Sequence, residues 1–446
     1  MYRSEIISRN ELSHRLIAFV ILLFAGITTL QAQNIKNSES GVVGEEVVMQ
    51  WNRVLTETVR TPGAHPSATI FPMRSYAMMH LAMFDAVNSI DGSYTPYLTD
   101  VPGSKNASME AAAAQAAHDV LVGLYPSRAG IYDAELEISL DGIDKNRAQQ
   151  GIRVGEIVAQ RMLAARANDG WNATLPAYSL PLDPGNWQLA PGNTVVTFTH
   201  YPAVLPFATT SSTQFAPNPP PAMTSDVYTR DFNEVKEIGS VTSATRTADQ
   251  TLVARLWAGV GTPTANFFAW NNVARALSDS RGLSTVERAR LFALFNIAFH
   301  DALQTSFASK FQHGLWRPVT AIRRADEDGN PSTSPDAAWL SLIANPPYPT
   351  YAGNNATIGM AHATIFALVF GRDDIAYQHT WENGPGGTGG ATRSYAGFAA
   401  MAQEQADARI YAGIHFRFDN VAGQSIGRNV ANYVYQNFLI PRRCVQ

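Results

Sequence analysis

Apolar positions recur at intervals of three and four over much of this chain. Met73, Tyr76, Ala77, His80, Met83, Phe84 and Val87 fall on one face of a helix. Alanine-rich stretches near 107–124 and 147–168 predict two further helices. Ser284 followed by Glu287 is a capping-box pair, and it predicts a long helix running through Phe295, Phe299, Leu303 and Phe307. The pattern breaks between Trp171 and Met223, which hold ten of the 25 prolines and almost no charge. That segment reads as a long irregular connection, too apolar for a solvated linker and draped over the helices. Helical periodicity resumes at about Tyr228. Strand-like alternation is scarce and no fixed repeat is visible. The fold class is therefore all-α, with two helical halves around a shared core joined by long irregular connections. The halves are 33–225, ending in the proline-rich connection, and 226–446.

Residues 1–32 have a different character. Arg3, Arg9 and Arg15 precede the uninterrupted apolar run Leu16–Leu30, and Ala32 offers a small residue for cleavage. Fifteen apolar residues are short of the ~20 needed to span a bilayer, so the stretch reads as an export signal, not an anchor. The implied destination is the periplasm or the exterior. The single cysteine, Cys444, permits no intrachain disulfide and no all-cysteine metal site.

Composition narrows the function. Charged residues make up 16% and hydrophobic ones 46%, which rules out a disordered chain. Lys and Arg total 33 against 37 Asp and Glu, a net charge of −4. No basic surplus exists for a phosphate backbone, so nucleic-acid binding is not expected.

Several short motifs carry little. Gly423-Gln-Ser425-Ile-Gly427 matches a nucleophile elbow, but no histidine follows Ser425 to complete the order such enzymes need. Small residues packing a helix explain it better. Gly384–Gly389 matches GxGxxG without the flanking strand and helix a dinucleotide site requires. Asp326-Glu-Asp328-Gly329 has the wrong register for a calcium loop and reads as a surface turn. His80 and His118 lie in helical patterns and read as structural. His300 beside Asp301, His313 and His362 have slightly more weight, being near the segments that follow.

Three C-terminal segments concentrate cations, glycines and helix starts. The first runs from Lys310 to Arg317-Pro318, where the proline ends one helix and opens the next. The second, Tyr348 to Gly359, is a turn-rich approach to an apolar helix whose first N–H groups would favour an anion. The third runs from Arg409 through Gly413 and His415 to Asp419, with Gly413 breaking the helix between Arg409 and His415. Asp419 could accept from one imidazole nitrogen, leaving the other as nucleophile or ligand. Two arginines, a lysine, a helix N-terminus and an oriented histidine together suit a tetrahedral oxyanion.

These segments resemble the signature of the type-2 phosphatidic acid phosphatase superfamily, and within it the vanadium-dependent haloperoxidases: K-x6-R-P, P-S-G-H and S-R-x5-H-x3-D. Upstream, Met73–Asn88, Arg166–Gly170 and Trp316–Asp328 look like secreted bacterial members of the haloperoxidase branch. The resemblance implies an all-α double bundle. It also implies vanadate bonded to His415 and held by Lys310, Arg317, Arg409, Gly353 and the backbone N–H of Asn354, with Asp419 in support. Phosphate could occupy the same site. Hydrogen peroxide and halide would be the substrates, with Lys310 polarising the peroxide; a phosphatase would instead take a small phosphate ester.

The middle motif departs from the signature. Ala352-Gly353-Asn354-Asn355 stands where the family has P-S-G-H, so Gly353 lacks the serine hydroxyl and Asn355 replaces the acid–base histidine. Ala408 replaces the serine before Arg409. An amide cannot titrate near neutrality, and losing general acid–base catalysis lowers a rate by about 10²–10⁴. The expectation is a secreted haloperoxidase-like protein of reduced activity, without a stable membrane anchor. The alternatives are a phosphomonoesterase and a non-catalytic oxyanion-binding protein.

Overall fold

The computed structural model describes residues 45–61, 71–102, 105–258, 265–381 and 390–442. The export-signal reading of 1–32, the glycine-rich loop Gly384–Gly389 and Cys444 lie outside them. Helices dominate, in the order α1 (Val47–Arg60), α2 (Phe71–Asp91), α3 (Met109–Leu124), α4 (Ala129–Leu140), α5 (Lys145–Ala165), α6 (Asp226–Ile238), α7 (Ala248–Ala258) and α8 (Ala265–Ser280). After them come α9 (Thr285–His313), α10 (Pro318–Arg323), α11 (Asn354–Phe370), α12 (Phe398–Tyr411) and α13 (Arg417–Asn437). The all-α expectation is met except for one short antiparallel hairpin, β1 (Tyr377–Thr380) with β2 (Thr392–Tyr395), in register Tyr377 to Tyr395. From Val47 onward the chain packs as one compact unit. Among the described residues no helix is long and apolar enough to cross a membrane.

The helix opened by Ser284 and Glu287 is the axis of the molecule. Glu287 accepts from the Ser284 backbone N–H at 2.9 Å, closing the expected capping arrangement. From Val286 to Lys310 α9 is buried on nearly every face, packing on α2, α11 and α13. A helix buried all round must satisfy its polar groups internally. The Asp301 carboxylate does so by accepting the backbone N–H groups of Phe207, Ala208 and Thr209 at 2.9, 2.7 and 2.8 Å. It thereby pins the proline-rich connection onto α9, where Tyr201 and Phe207 pack edge-on against His300. Replacing Asp301 by alanine leaves those three buried donors without an acceptor, at about 1–3 kcal/mol each. The expected result is a loss of roughly 3 kcal/mol or more, read as a lower urea unfolding midpoint.

Helices α11 and α13 approach closely because small residues line their contact. A Cβ at Gly423 would lie 2.4 Å from the carbonyl oxygen of Gly353, and one at Gly427 would lie 2.3 Å from that of Thr357. This is the packing role expected for the Gly423–Gly427 stretch, and it sets the start of α11 against the first turns of α13. The Asp326–Asp328 turn differs from expectation in being only partly at the surface. Asp328 is buried, accepting from the Asn330 backbone at 2.8 Å and the Thr333 hydroxyl at 2.8 Å, because it organises the turn from within.

Candidate oxyanion site

Lys310 sits in the last turn of α9, and Gly314 ends the helix so that the chain can turn toward Arg317. Arg317 is extended and directly precedes Pro318, the first residue of α10. Both side chains are fully buried. Lys310 Nζ donates to the carbonyl oxygens of Thr350, at 2.6 Å, and Ala352. Arg317 Nε donates to the Tyr348 carbonyl at 2.9 Å and its Nη1 to that of Ile414 at 2.9 Å. The turn before α11 is thus hung on two cations. The Tyr348 ring lies under them, with Lys310 Nζ at 5.6 Å and Arg317 Cζ at 5.2 Å from its centroid.

Arg409 closes the third side from α12. Its Nη1 donates to the Trp257 carbonyl at 3.0 Å, while its buried Nε has no hydrogen-bond partner among the described residues. Beyond Tyr411 the chain turns at Gly413, whose φ of +78° suits a residue without Cβ, so the helix break expected between Arg409 and His415 is present.

His415 enters from this turn and is almost wholly buried. Its Nδ1 lies 3.0 Å from Asp419 Oδ2 and 3.0 Å from Thr350 Oγ1. The Thr350 hydroxyl donates to the same carboxylate oxygen, which also accepts the Phe416 backbone N–H at 3.0 Å and so caps α13. On the other edge, Nε2 faces Arg317 Nη1 at 3.4 Å. A guanidinium nitrogen only donates, so the arrangement selects the Nδ1–H tautomer and leaves the Nε2 lone pair facing the cations.

The electrostatics follow from burial. Burial, then the charges of Arg317, Lys310 and Arg409, hold the His415 imidazole well below its usual range, so it is neutral. Burial, with Arg317 and Arg409 nearby, pushes Lys310 well down. Burial takes both arginines down to about 10. Asp419 is pushed up to about 6 by burial, against the opposing Thr350 hydrogen bond and Lys310 charge. Lys310 and Arg317 therefore share one weakened carboxylate, and all three buried cations would regain ordinary basicity beside an anion. Among the described residues no group of three His, Cys, Asp or Glu could hold a bare metal ion. The donor set instead fits an oxyanion: forked and point-like cations for its oxygens, an Arg409 Nε with no partner among the described residues, and one neutral imidazole lone pair.

Residues 290–440 match the family model of the VCPO second helical-bundle domain. The chain is similar to vanadium haloperoxidases in that domain, in sequence and in fold. It is 25% identical over 411 residues to the vanadium chloroperoxidase of Curvularia inaequalis, covering 72% of this chain and 64% of that relative's length. In fold it resembles the first bacterial vanadium-dependent iodoperoxidase, at TM-score 0.75 and 22% identity over 90% of this chain and 98% of that one. A holo-type bacterial vanadium-dependent chloroperoxidase superposes at TM-score 0.65 and 16% identity over 90% of this chain and 94% of the other.

Within this haloperoxidase fold the middle segment shows what its departures involve. Gly353 precedes Asn354, the first residue of α11, whose Oδ1 lies 2.7 Å from the Ser306 hydroxyl. The space where a side chain at 353 would go is taken by Asn420, since an added Cβ would lie 2.6 Å from Asn420 Oδ1. Asn420 is itself held by its Nδ2, which donates to the Ala406 carbonyl at 2.8 Å. Gly353→Ser is therefore expected to cost about 1–3 kcal/mol by overpacking, and Asn420→Ala should recover part of it, as read from thermal melts of the single and double variants. Asn355 is partly buried and accepts from Gln405 Nε2 at 3.2 Å. Thr350, Ser306, Gln405 and the ring of Tyr348 are site components that spacing alone did not single out. Of the histidines weighed from the sequence, four make other contacts. His80 contacts Asn52 at 3.0 Å, His118 bridges Asp119 and Asp133, His313 packs edge-on to Tyr351, and His362 stacks on Phe295.

Proposed function

We propose that this chain binds vanadate among Lys310, Arg317, Arg409 and His415 and oxidises halide with hydrogen peroxide. One observation carries the reading: the charges of three buried side chains, Lys310, Arg317 and Arg409, all act on a neutral His415 whose other edge is held by Asp419. Bound vanadate would supply a Lewis-acid centre that activates peroxide without changing its own oxidation state. The protein's share is electrostatic and positional. Asp419 and Thr350 hold the Nδ1–H of His415, so that Nε2 presents its lone pair. The arginines neutralise oxygen charge, and Lys310, with an N–H beyond its two carbonyl bonds, withdraws charge from a further oxygen. Gly353 and the Asn354 N–H at the start of α11 add the positive end of a helix. Export through the leader 1–32 is part of the proposal, and the N-terminal mass of protein recovered outside the cytoplasm tests it.

A second reading, a non-catalytic oxyanion binder, is favoured by the neutral amide of Asn355 at the position where an acid–base group is needed. Phosphomonoester hydrolysis is supported least, because a leaving alkoxide requires a proton that Asn355 does not carry. Iodide and bromide oxidation with peroxide, measured with and without vanadate and alongside phosphate ester hydrolysis, separates the three. Vanadate-dependent halide oxidation suppressed by phosphate supports the first reading; tight binding with neither activity supports the second.

A further inference from the structure

Solvent reaches the side chains of the cage unequally. Lys310 and Arg317 are wholly buried, whereas Tyr348 keeps 8% of its surface, Asn354 7% and Arg409 6%. Those three mark the least enclosed side. The place of Tyr348 there is fixed from several directions. Arg317 Nε donates to its carbonyl at 2.9 Å, and the cations of Arg317 and Lys310 lie 5.2 and 5.6 Å from its ring centroid. Phe307 packs edge-on to the ring at 5.0 Å, and Phe198 tilts against it at 6.1 Å. The hydroxyl end is hydrogen-bonded to the side chain of Asn354, the residue that opens α11. Burial raises the phenol above its ordinary range while Arg317 and Arg409 act against the rise, so both charges reach that end of the ring. A neutral phenol therefore runs from the lysine and arginine to the helix start, beside the anion these groups would hold. A phenol ring is activated toward electrophiles at the carbons ortho to its hydroxyl. Phe198 and Phe307 lack that activation, and Tyr351 turns its hydroxyl away to the Asn218 carbonyl.

We propose that Tyr348 is a modification site, halogenated ortho to its hydroxyl by the hypohalous acid formed at the cage. With iodide, hydrogen peroxide is the oxidant: iodide, peroxide and one proton give hypoiodous acid and water. The phenol ring then donates an electron pair to iodine, and a C–I bond forms as the O–I bond breaks. The displaced ring proton joins the departing hydroxide as water. This inference rests on the halide-oxidising reading of the site and makes a residue of the protein an early acceptor of its product.

The test is peptide mass spectrometry of the full chain after brief turnover with vanadate, hydrogen peroxide and iodide, with fragment spectra separating Tyr348 from Tyr351. A parallel sample receives ready-made hypoiodous acid instead. Reagent arriving from bulk solvent should label the half-buried Tyr433 and Tyr435 before the buried Tyr348. Turnover should reverse that order, placing iodine on Tyr348 while Tyr433 and Tyr435 stay unlabelled. Omitting vanadate should abolish the Tyr348 label. Tyr348→Phe should take up no iodine at that position, and its label should not pass to Tyr351. Iodide oxidation that leaves Tyr348 unlabelled, or labels it no earlier than the added reagent does, would overturn this inference and leave the halide-oxidising reading standing. A chain that oxidises no iodide would overturn both.

Discussion

Asn355→His is expected to raise vanadate-dependent halide oxidation by about 10²–10⁴-fold, the range of general acid–base catalysis by one positioned group. The surroundings already suit the change. Gln405 Nε2 points at residue 355 as a donor, so a histidine there would accept at one ring nitrogen and carry its proton on the other. The variant should also acquire a further pH dependence, set by the new imidazole. An unperturbed imidazole titrates near 6.5, and the nearby Arg409 cation would pull that value down. Turnover should therefore rise as pH falls through the histidine's pKa, because the protonated ring is the donor. A steady-state pH profile of both proteins checks the magnitude and the sign together. An unchanged rate would mean that residue 355 does not occupy the acid–base position.

His415→Ala has the opposite expected effect. Removing the only imidazole lone pair in the cage should reduce vanadate-dependent oxidation at least ~10³-fold, beyond the loss seen when a single oxyanion donor is deleted. The fold should survive, because α13 keeps its cap: the Phe416 N–H to Asp419 bond at 3.0 Å does not involve the ring. Thr350 also continues to donate to the same carboxylate. Phosphate held by the three cations should still bind, more weakly, so calorimetry on the variant distinguishes a lost ligand from a collapsed cage. Comparable turnover in His415→Ala would show that oxidation arises elsewhere.

The cage was legible in sequence because two of its segments are local devices. Lys310 and Arg317 flank a helix stop and a proline start, and Gly413 lets Arg409 and His415 come from different elements. Asp419 could be read as the partner of His415 because the two are four residues apart at a helix start. Thr350 could not be read so, since its link to His415 spans 65 positions and depends on Arg317 and Lys310 grasping the turn that carries it. The hydrogen bonds from Trp270 to Gln405 and from Gln405 to Asn355 join three separate helices, and no spacing rule reaches across them. The same limit applied to the fold. Strong apolar periodicity marked α2 and α9. The exposed α4 buries only Tyr132, and the β1–β2 hairpin has four residues per strand, so neither leaves much pattern. The proline-rich connection was readable as draped over the helices, but its anchor was not. A lone Asp301 within an apolar helix gives no sign that it will gather three amides from residues 207–209.

Lys310, Arg317, Arg409 and His415 are proposed to form one oxyanion cage with His415 Nε2 as the bonding atom. A crystal structure of the protein soaked in orthovanadate tests it most directly. Density is expected for a single oxyanion bonded to His415 Nε2, with its oxygens in contact with the two arginines and the lysine. Vanadate bound away from His415, or a crystal that takes up none while remaining folded, would contradict it.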